Sequence, residues 1–195
     1  MESVEANDDR NLVASILNGD LKAFELFMKK YKRLVSHIVF RMVPQVDERE
    51  DICQDVFLRI YRNLHNFRYS SKLSTWVASI TYNNCVNYLQ KKKEPLFDDI
   101  LPNETNPEIA EISDSLPVDE VEKIDIRERL QTEIEKLPKI YRIILTLYHL
   151  DEMSYNEIVE ITHLPEGTVK SHLFRARRML KERLMKKYRQ EDLCP

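Results

Sequence analysis

Glycine is almost absent from this chain, and that constrains the fold more than anything else. In 195 residues only Gly19 and Gly167 occur. Between the turn signals, apolar residues recur every three or four positions rather than every second one. Strands read as alternation and helices as a 3.6-residue period, so the spacing predicts an all-α protein. The length suits one ordinary domain or two small ones. No apolar run approaches the roughly 18 residues that span a bilayer, and Glu2, Glu5, Asp8 and Asp9 are the wrong start for a signal peptide. The three cysteines (Cys53, Cys85, Cys194) are scattered and odd in number. Their spacing suits neither a disulfide frame nor a metal site, and a reducing cytoplasm is expected.

Charge divides the chain. The formal net charge is −3, yet Glu94–Asp125 holds eleven acids against Lys123, a net of −10, which leaves about +7 for the remainder. From Thr168 to Arg189 nine Lys/Arg face one Glu. The acidic stretch also contains four of the eight prolines (95, 102, 107 and 117) and little apolar periodicity, the composition of a flexible linker. Domains are therefore expected at 1–93 and 125–195, with a tether over 94–124.

Within the first domain, Leu12, Val13, Ile16 and Leu17 predict a helix ending at Gly19, and Leu21 to Met42 a long amphipathic helix stopped near Pro44. A third helix is expected from Asp47, with Glu50 as capping-box partner. Ile52, Val56, Ile60 and Leu64 form its apolar face, supported by Phe57. Asp51, Gln54, Asp55, Leu58 and Tyr61 lie opposite. Acids mixed with an outward leucine and tyrosine fit an interaction surface, and fit equally a solvated face with incidental apolar residues. The loop Asn66–Lys72 carries Phe67, Arg68, Tyr69 and Lys72. A fourth helix, Leu73–Lys92, has Val77, Thr81, Cys85 and Tyr88 on one side. Trp76, Ile80, Asn83, Asn87 and Gln90 gather on the other, and Lys91–Lys93 follow. An aromatic ring, amides and a cationic end are what unstacked bases need; a core tryptophan among surface asparagines has the same spacing.

In the second domain, Ile126, Leu130, Ile134 and Leu137 predict one helix. Pro138, with Ile140, Ile144, Leu147 and Tyr148, begins the next. After a turn at Asp151–Ser154, Tyr155–Arg178 reads as a short helix, a tight turn and a longer helix opening at Pro165. On a wheel of about 100° per residue, Val169, Leu173, Ala176, Leu180 and Leu184 fall within roughly 80°. Ser171, Phe174, Arg175 and Arg178 point the other way. An aromatic ring among arginines, turned from the core, suits DNA. In a helix-turn-helix such residues, with Lys170, reach base edges while neighbouring bases hold phosphates. Val159 stands where the motif has a small residue. His163 stands where it has glycine, and histidine tolerates the left-handed backbone this turn needs.

The string LPKIYRIILTLYHLDEMSYNEIVEITHLPEGTVKSHLFRAR, from Leu137, resembles the C-terminal domain of bacterial sigma factors of the extracytoplasmic-function type. GDLKAFELFMKKY, EDICQDVFLRIYRNLHNF and SKLSTWVASITYNNCVNYLQKKK resemble successive parts of the family's N-terminal domain, in order. The resemblance implies a non-enzymatic promoter-specificity subunit without cofactor or metal. Its partners would be core RNA polymerase, promoter DNA (duplex at −35, melted at −10) and an anti-sigma factor, with no membrane insertion. Asp51, Gln54, Asp55, Phe57, Leu58 and Tyr61 would meet the polymerase clamp. Phe67, Arg68, Tyr69, Lys72, Trp76, Asn83, Asn87 and Lys91 would serve the −10 element. Lys170, Ser171, His172, Phe174, Arg175 and Arg178 would serve the −35 element, with His172 in the place of the family's usual arginine. The acidic stretch would thread the polymerase's RNA exit region. From the residues alone the main rival is a dimeric helix-turn-helix regulator that never touches polymerase; a second, a helical nucleic-acid enzyme, has no histidine–carboxylate or cysteine constellation to support it.

Overall fold

The computed structural model describes residues 2–96 and 129–187. Most of the acidic stretch lies outside the described residues, as do Cys194 and Arg189 at the end of the basic run. Among the described residues all regular structure is helical. The elements are α1 (Glu2–Leu17), α2 (Leu21–Met42), α3 (Arg49–Asn63) followed by a 3₁₀ turn (Leu64–Asn66), and α4 (Leu73–Lys91). After the gap come a helical piece at 129–134, α5 (Lys139–His149), α6 (Tyr155–Thr162) and α7 (Glu166–Lys187).

The ends of α2 follow from its neighbours in sequence. Gly19 has φ +87°, a left-handed conformation that closes α1, and its N–H donates to the Ile16 carbonyl at 2.9 Å. Asp20 then caps α2 through its Oδ1, which accepts from the Lys22 and Ala23 N–H groups at 2.9 and 3.2 Å. Pro44 forces Val43 into an extended conformation (φ −92°, ψ 114°), and the helix ends there. The expected start of α3 at Asp47 is not observed. Val46–Glu48 form a turn, the helix begins at Arg49, and its N-cap Glu48 makes no side-chain capping bond. Arg49 instead donates from Nε to the Val43 carbonyl at 2.9 Å, which draws the turn back onto the end of α2.

Helix α2 is the hub, packing on α1, α3, α4 and also α5. Phe27, Val35, Ile38, Val39 and Met42 on its inner face are fully buried. Each large apolar side chain withdrawn from water contributes about 1.5–3 kcal/mol, so this one face is a major part of the core. The C-terminal helices bury Ile140, Ile143, Ile144, Leu147, Ile158, Val169 and Leu173, which continue the same apolar core. They also lie on the N-terminal unit: α5 rests on α2, and α6 rests on α4.

Pro138 sits one position earlier than expected, as the N-cap of α5 rather than in its first turn, its carbonyl accepting from Tyr141 and Arg142 at 3.0 Å. Ser154 and Glu157 close a capping box on α6: Ser154 Oγ accepts from the Glu157 N–H at 3.3 Å, and Glu157 Oε2 accepts from the Ser154 N–H at 2.9 Å. His163 ends α6 in the left-handed conformation (φ 59°, ψ 19°), with its N–H on the Val159 carbonyl at 2.8 Å. The turn expected of a helix-turn-helix is thus present without glycine.

Candidate polymerase- and promoter-binding surfaces

On α3 the helical period puts Ile52, Val56 and Ile60 inside and leaves Asp51, Gln54, Asp55, Leu58 and Tyr61 exposed on one outer face. Leu58 and Tyr61 keep 50% and 41% of their surface in water, a real cost for apolar side chains beside two acids. The Tyr61 ring meets the edge of Phe24 on α2 at 4.8 Å between centroids, which holds it upright rather than free. Phe57 differs from the rest of this set. It is half-buried and packed against the core, so it supports the face from beneath.

The second surface joins the loop after α3 to the outer side of α4. Asn83, Asn87 and Lys91 are exposed, while Val77, Ala78, Thr81 and Cys85 are buried on the inner sides. Trp76 is half-buried with its indole against the core, so the core and surface readings each hold for part of the ring. Phe67 requires a correction: it is 7% exposed, packed 5.3 Å from Trp76 and 4.7 Å from Tyr69 between ring centroids. It forms the floor of the loop rather than a stacking platform. Tyr69 stands above it in a left-handed conformation (φ 58°), 42% exposed. Arg68 and Lys72 flank the rings from the surface. Arg10 of α1 places its guanidinium 5.4 Å from the Tyr69 centroid, adding a cation that sequence reasoning missed. No local pattern joins Arg10 to a ring so far along the chain; only the packing of α1 beside this loop does.

The third surface is α7. Val169, Leu173 and Ala176 are buried as the wheel requires, while Leu180 and Leu184 are only half-buried as the helix runs out past α5. Lys170, Ser171, Phe174 and Arg175 are half-exposed and Arg178 is exposed. Lys170 pairs with Glu166 at 2.6 Å and lies 5.3 Å from the Tyr155 centroid. Arg177 donates from Nε to His149 Nε2 at 3.0 Å and lies over Tyr148, so it braces α7 against the end of α5.

His172 is the second correction. It is 8% exposed, its ring is 5.3 Å from that of Tyr141, and its buried Nδ1 has no hydrogen-bond partner among the described residues. The expected core stripe was too narrow. Helices α5 and α6 both flank α7, and the buried arc widens to take in the histidine. Burial, and then the neighbouring Arg175, hold the imidazole below its ordinary pKa.

Below these surfaces, Glu133 is 2% exposed, roofed by Lys136 at 2.7 Å, Lys187 at 3.0 Å and Arg183 at 3.2 Å. Hydrogen bonds from Lys136 and Lys187 bring its carboxyl down to about 2. This clamp ties the tail of α7 to the segment before α5. Among the described residues no group of three or more His, Cys, Asp or Glu side chains could hold a metal ion, and no helix is long and apolar enough to cross a membrane.

Known proteins match this arrangement in both sequence and fold. Residues 27–94 match the family Sigma-70 region 2, and residues 127–180 match Sigma-70, region 4. The chain is 34% identical to the ECF RNA polymerase sigma factor SigW of Bacillus subtilis, over 88% of this chain and 94% of that protein. It is 37% identical to the ECF RNA polymerase sigma-E factor of Escherichia coli K12, over 87% and 90%. CnrH, solved in complex with the cytosolic domain of CnrY, superposes with a TM-score of 0.64 at 18% identity, covering 92% of this chain and 99% of that one. The sigma factor RpoE of Bartonella quintana, solved with the anti-sigma factor NepR, gives 0.62 at 21%, covering 86% and 99%. These two likenesses establish the fold. Identities above 30% across nearly the whole length establish the family, and with it promoter recognition rather than dimeric regulation. The chain belongs to the ECF RNA polymerase sigma factors.

Proposed function

We propose that this sigma factor divides promoter recognition among the three surfaces described, working in the cytoplasm without catalysing a reaction. The observation that carries the reading is the occurrence in one chain of a basic helix-turn-helix and a separate exposed face of acids with Leu58 and Tyr61. A DNA-binding regulator has use for the first surface only; a polymerase subunit needs both. Asp51, Gln54, Asp55, Leu58 and Tyr61 dock core RNA polymerase. Tyr69, Trp76, Asn83 and Asn87 hold bases that leave the duplex at −10, with Arg68, Lys72 and Lys91 on phosphates. The energy of these contacts offsets the few kcal/mol, roughly, that unstacking a base costs. Lys170, Ser171, Phe174 and Arg175 read the −35 duplex, and Arg178 meets its backbone. An anti-sigma factor would hold the protein inactive, and the acidic stretch would follow the polymerase's exit channel.

The test is reconstitution with sigma-free bacterial core polymerase. Stable association and run-off transcripts confined to a subset of promoter fragments are expected. A chain that binds DNA fragments as a homodimer and leaves core polymerase unbound sinks the reading.

A further inference from the structure

Helix α1 lies ahead of residues 27–94, the stretch that matches Sigma-70 region 2, and the proposed function assigns it nothing. It is nevertheless held in one position. Val13 and Ile16 are buried in the core, and Asp9 accepts from Lys30 Nζ at 2.6 Å and from the Tyr31 hydroxyl at 3.4 Å. The next residue, Arg10, is exposed, with its guanidinium 5.4 Å from the centroid of the Tyr69 ring. Among the described residues Arg10 makes no hydrogen bond or ion pair, so its five N–H donors remain open to a ligand.

Tyr69 carries the second observation. Its φ of 58° is in the left-handed region that favours glycine, and an aromatic side chain is uncommon there. The backbone gives no reason for a tyrosine at this place; the ring has to supply one. Backbone strain of this kind gathers where ligands are gripped. Phe67 lies 4.7 Å from Tyr69, and Trp76 lies 5.3 Å from Phe67, a run of three tilted rings with Tyr69 outermost. With Phe67 and Arg10 both against it, Tyr69 keeps 42% of its surface in water, enough for one base to stack.

A nucleotide offers both of the things this pair can hold. Its base has a π face for the tyrosine, and its phosphate hangs one sugar away. A guanidinium stacks on a ring through its plane and hydrogen-bonds a phosphate through its edge, so one arginine serves both at once. We infer that Arg10 and Tyr69 form a nucleotide clip, in which Tyr69 stacks on one unpaired base and Arg10 grips the phosphate attached to it. Helix α1 then takes part in holding the melted strand. The inference rests on the proposed role of the Asn66–Lys72 loop at −10 and adds a residue from outside that loop.

The test titrates the full chain with the single strand dT12. Trp76 is the only tryptophan and ends the run of rings, so its fluorescence reports binding. The variants are Arg10→Gln, Arg10→Lys and Tyr69→Gly, the last removing the ring while suiting the left-handed backbone. Circular dichroism checks that all are equally helical. At low salt Arg10→Gln should weaken binding about fivefold, and Tyr69→Gly at least as much. Salt separates gripping from bracing, because each phosphate neutralised on a single strand adds about 0.7 to the slope of log K against log salt. Arg10→Gln should lower the slope by about that amount, and Arg10→Lys should restore it. A residue that only braced Tyr69 would leave the slope unchanged. Equal affinity or equal slope for Arg10→Gln and wild type, where Tyr69→Gly does weaken binding, overturns the clip and leaves the −10 reading in place. Full affinity in Tyr69→Gly also overturns the clip, and takes the −10 role of that ring with it. The expected losses in a chain that never associates with core polymerase leave the clip standing and remove the functional reading instead.

Discussion

His172 shows how one residue can leave a binding face and acquire another consequence. Its imidazole lies against Tyr141 and burial depresses its pKa, so the folded protein resists charging it. The unfolded chain binds that proton near pH 6.5, so the contribution is whole above pH 6.5 and is lost as pH falls through the depressed folded value. Urea melts at pH 7.5 and 5.5 should show a fall in stability that His172→Gln largely removes; an unchanged fall points to another group. Glu133 titrates lower. Its folded value is about 2 against an ordinary 4.5, so its stabilisation is complete above pH 4.5 and fades as pH drops toward 2. Although little of its surface is exposed, its roof is three basic side chains with 38–48% of their own surface in water, so screening weakens the pairs. Glu133→Gln should therefore cost about 1–2 kcal/mol at pH 7, read by denaturant melts. No loss at neutral pH would mean that the lysines pay as much in lost mobility as they gain in charge.

At the scale of elements, α6 has only eight residues and depends on its ends. A helix this short is marginal by itself, so its capping box and the left-handed His163 carry weight that a longer helix would not need. Ser154→Ala should destabilise the C-terminal unit by about 1 kcal/mol and raise amide exchange in the first turn of α6. Protection equal to wild type would show that packing on α4 and α7 alone sets the helix. The outer face of α3 has no such internal role, because Asp51 and Asp55 are exposed and the core lies on the opposite side. Asp51→Arg with Asp55→Arg should abolish association with core polymerase, at least tenfold in affinity, while the thermal melt stays within a degree or two (about 0.5 kcal/mol for exposed sites). If the double variant unfolds, the face was structural.

For the whole molecule, the proposed function assigns the two promoter elements to surfaces on different helices, α4 and α7. Phe174→Ala removes an outward ring that is not packed on the core, so it should weaken selection at −35 by about 1–3 kcal/mol and leave core binding unchanged. Competition between fragments with altered −35 sequences measures this. Equal loss on unrelated −35 sequences would refute base reading by that ring.

The helices, their order and most of their inner faces were legible from the chain. Helical spacing is a local property, and Gly19, Asp20, Pro44 and His163 act on their immediate neighbours. Family resemblance was legible for the same reason, in contiguous strings such as EDICQDVFLRIYRNLHNF. Other features required the third dimension. His172 turned inward because Tyr141 of α5 lies against it, Phe67 because it packs under Tyr69 and Trp76, and Arg10 reaches Tyr69 only because α1 packs beside the 3₁₀ turn. The pairing of Glu157 with Thr75 and Lys72 spans more than eighty residues, and no periodicity encodes which exposed polar groups will meet. Local spacing determined which faces exist. Tertiary packing alone decided which of them remain in water, because burial depends on what lies opposite a side chain and not on its place in the chain.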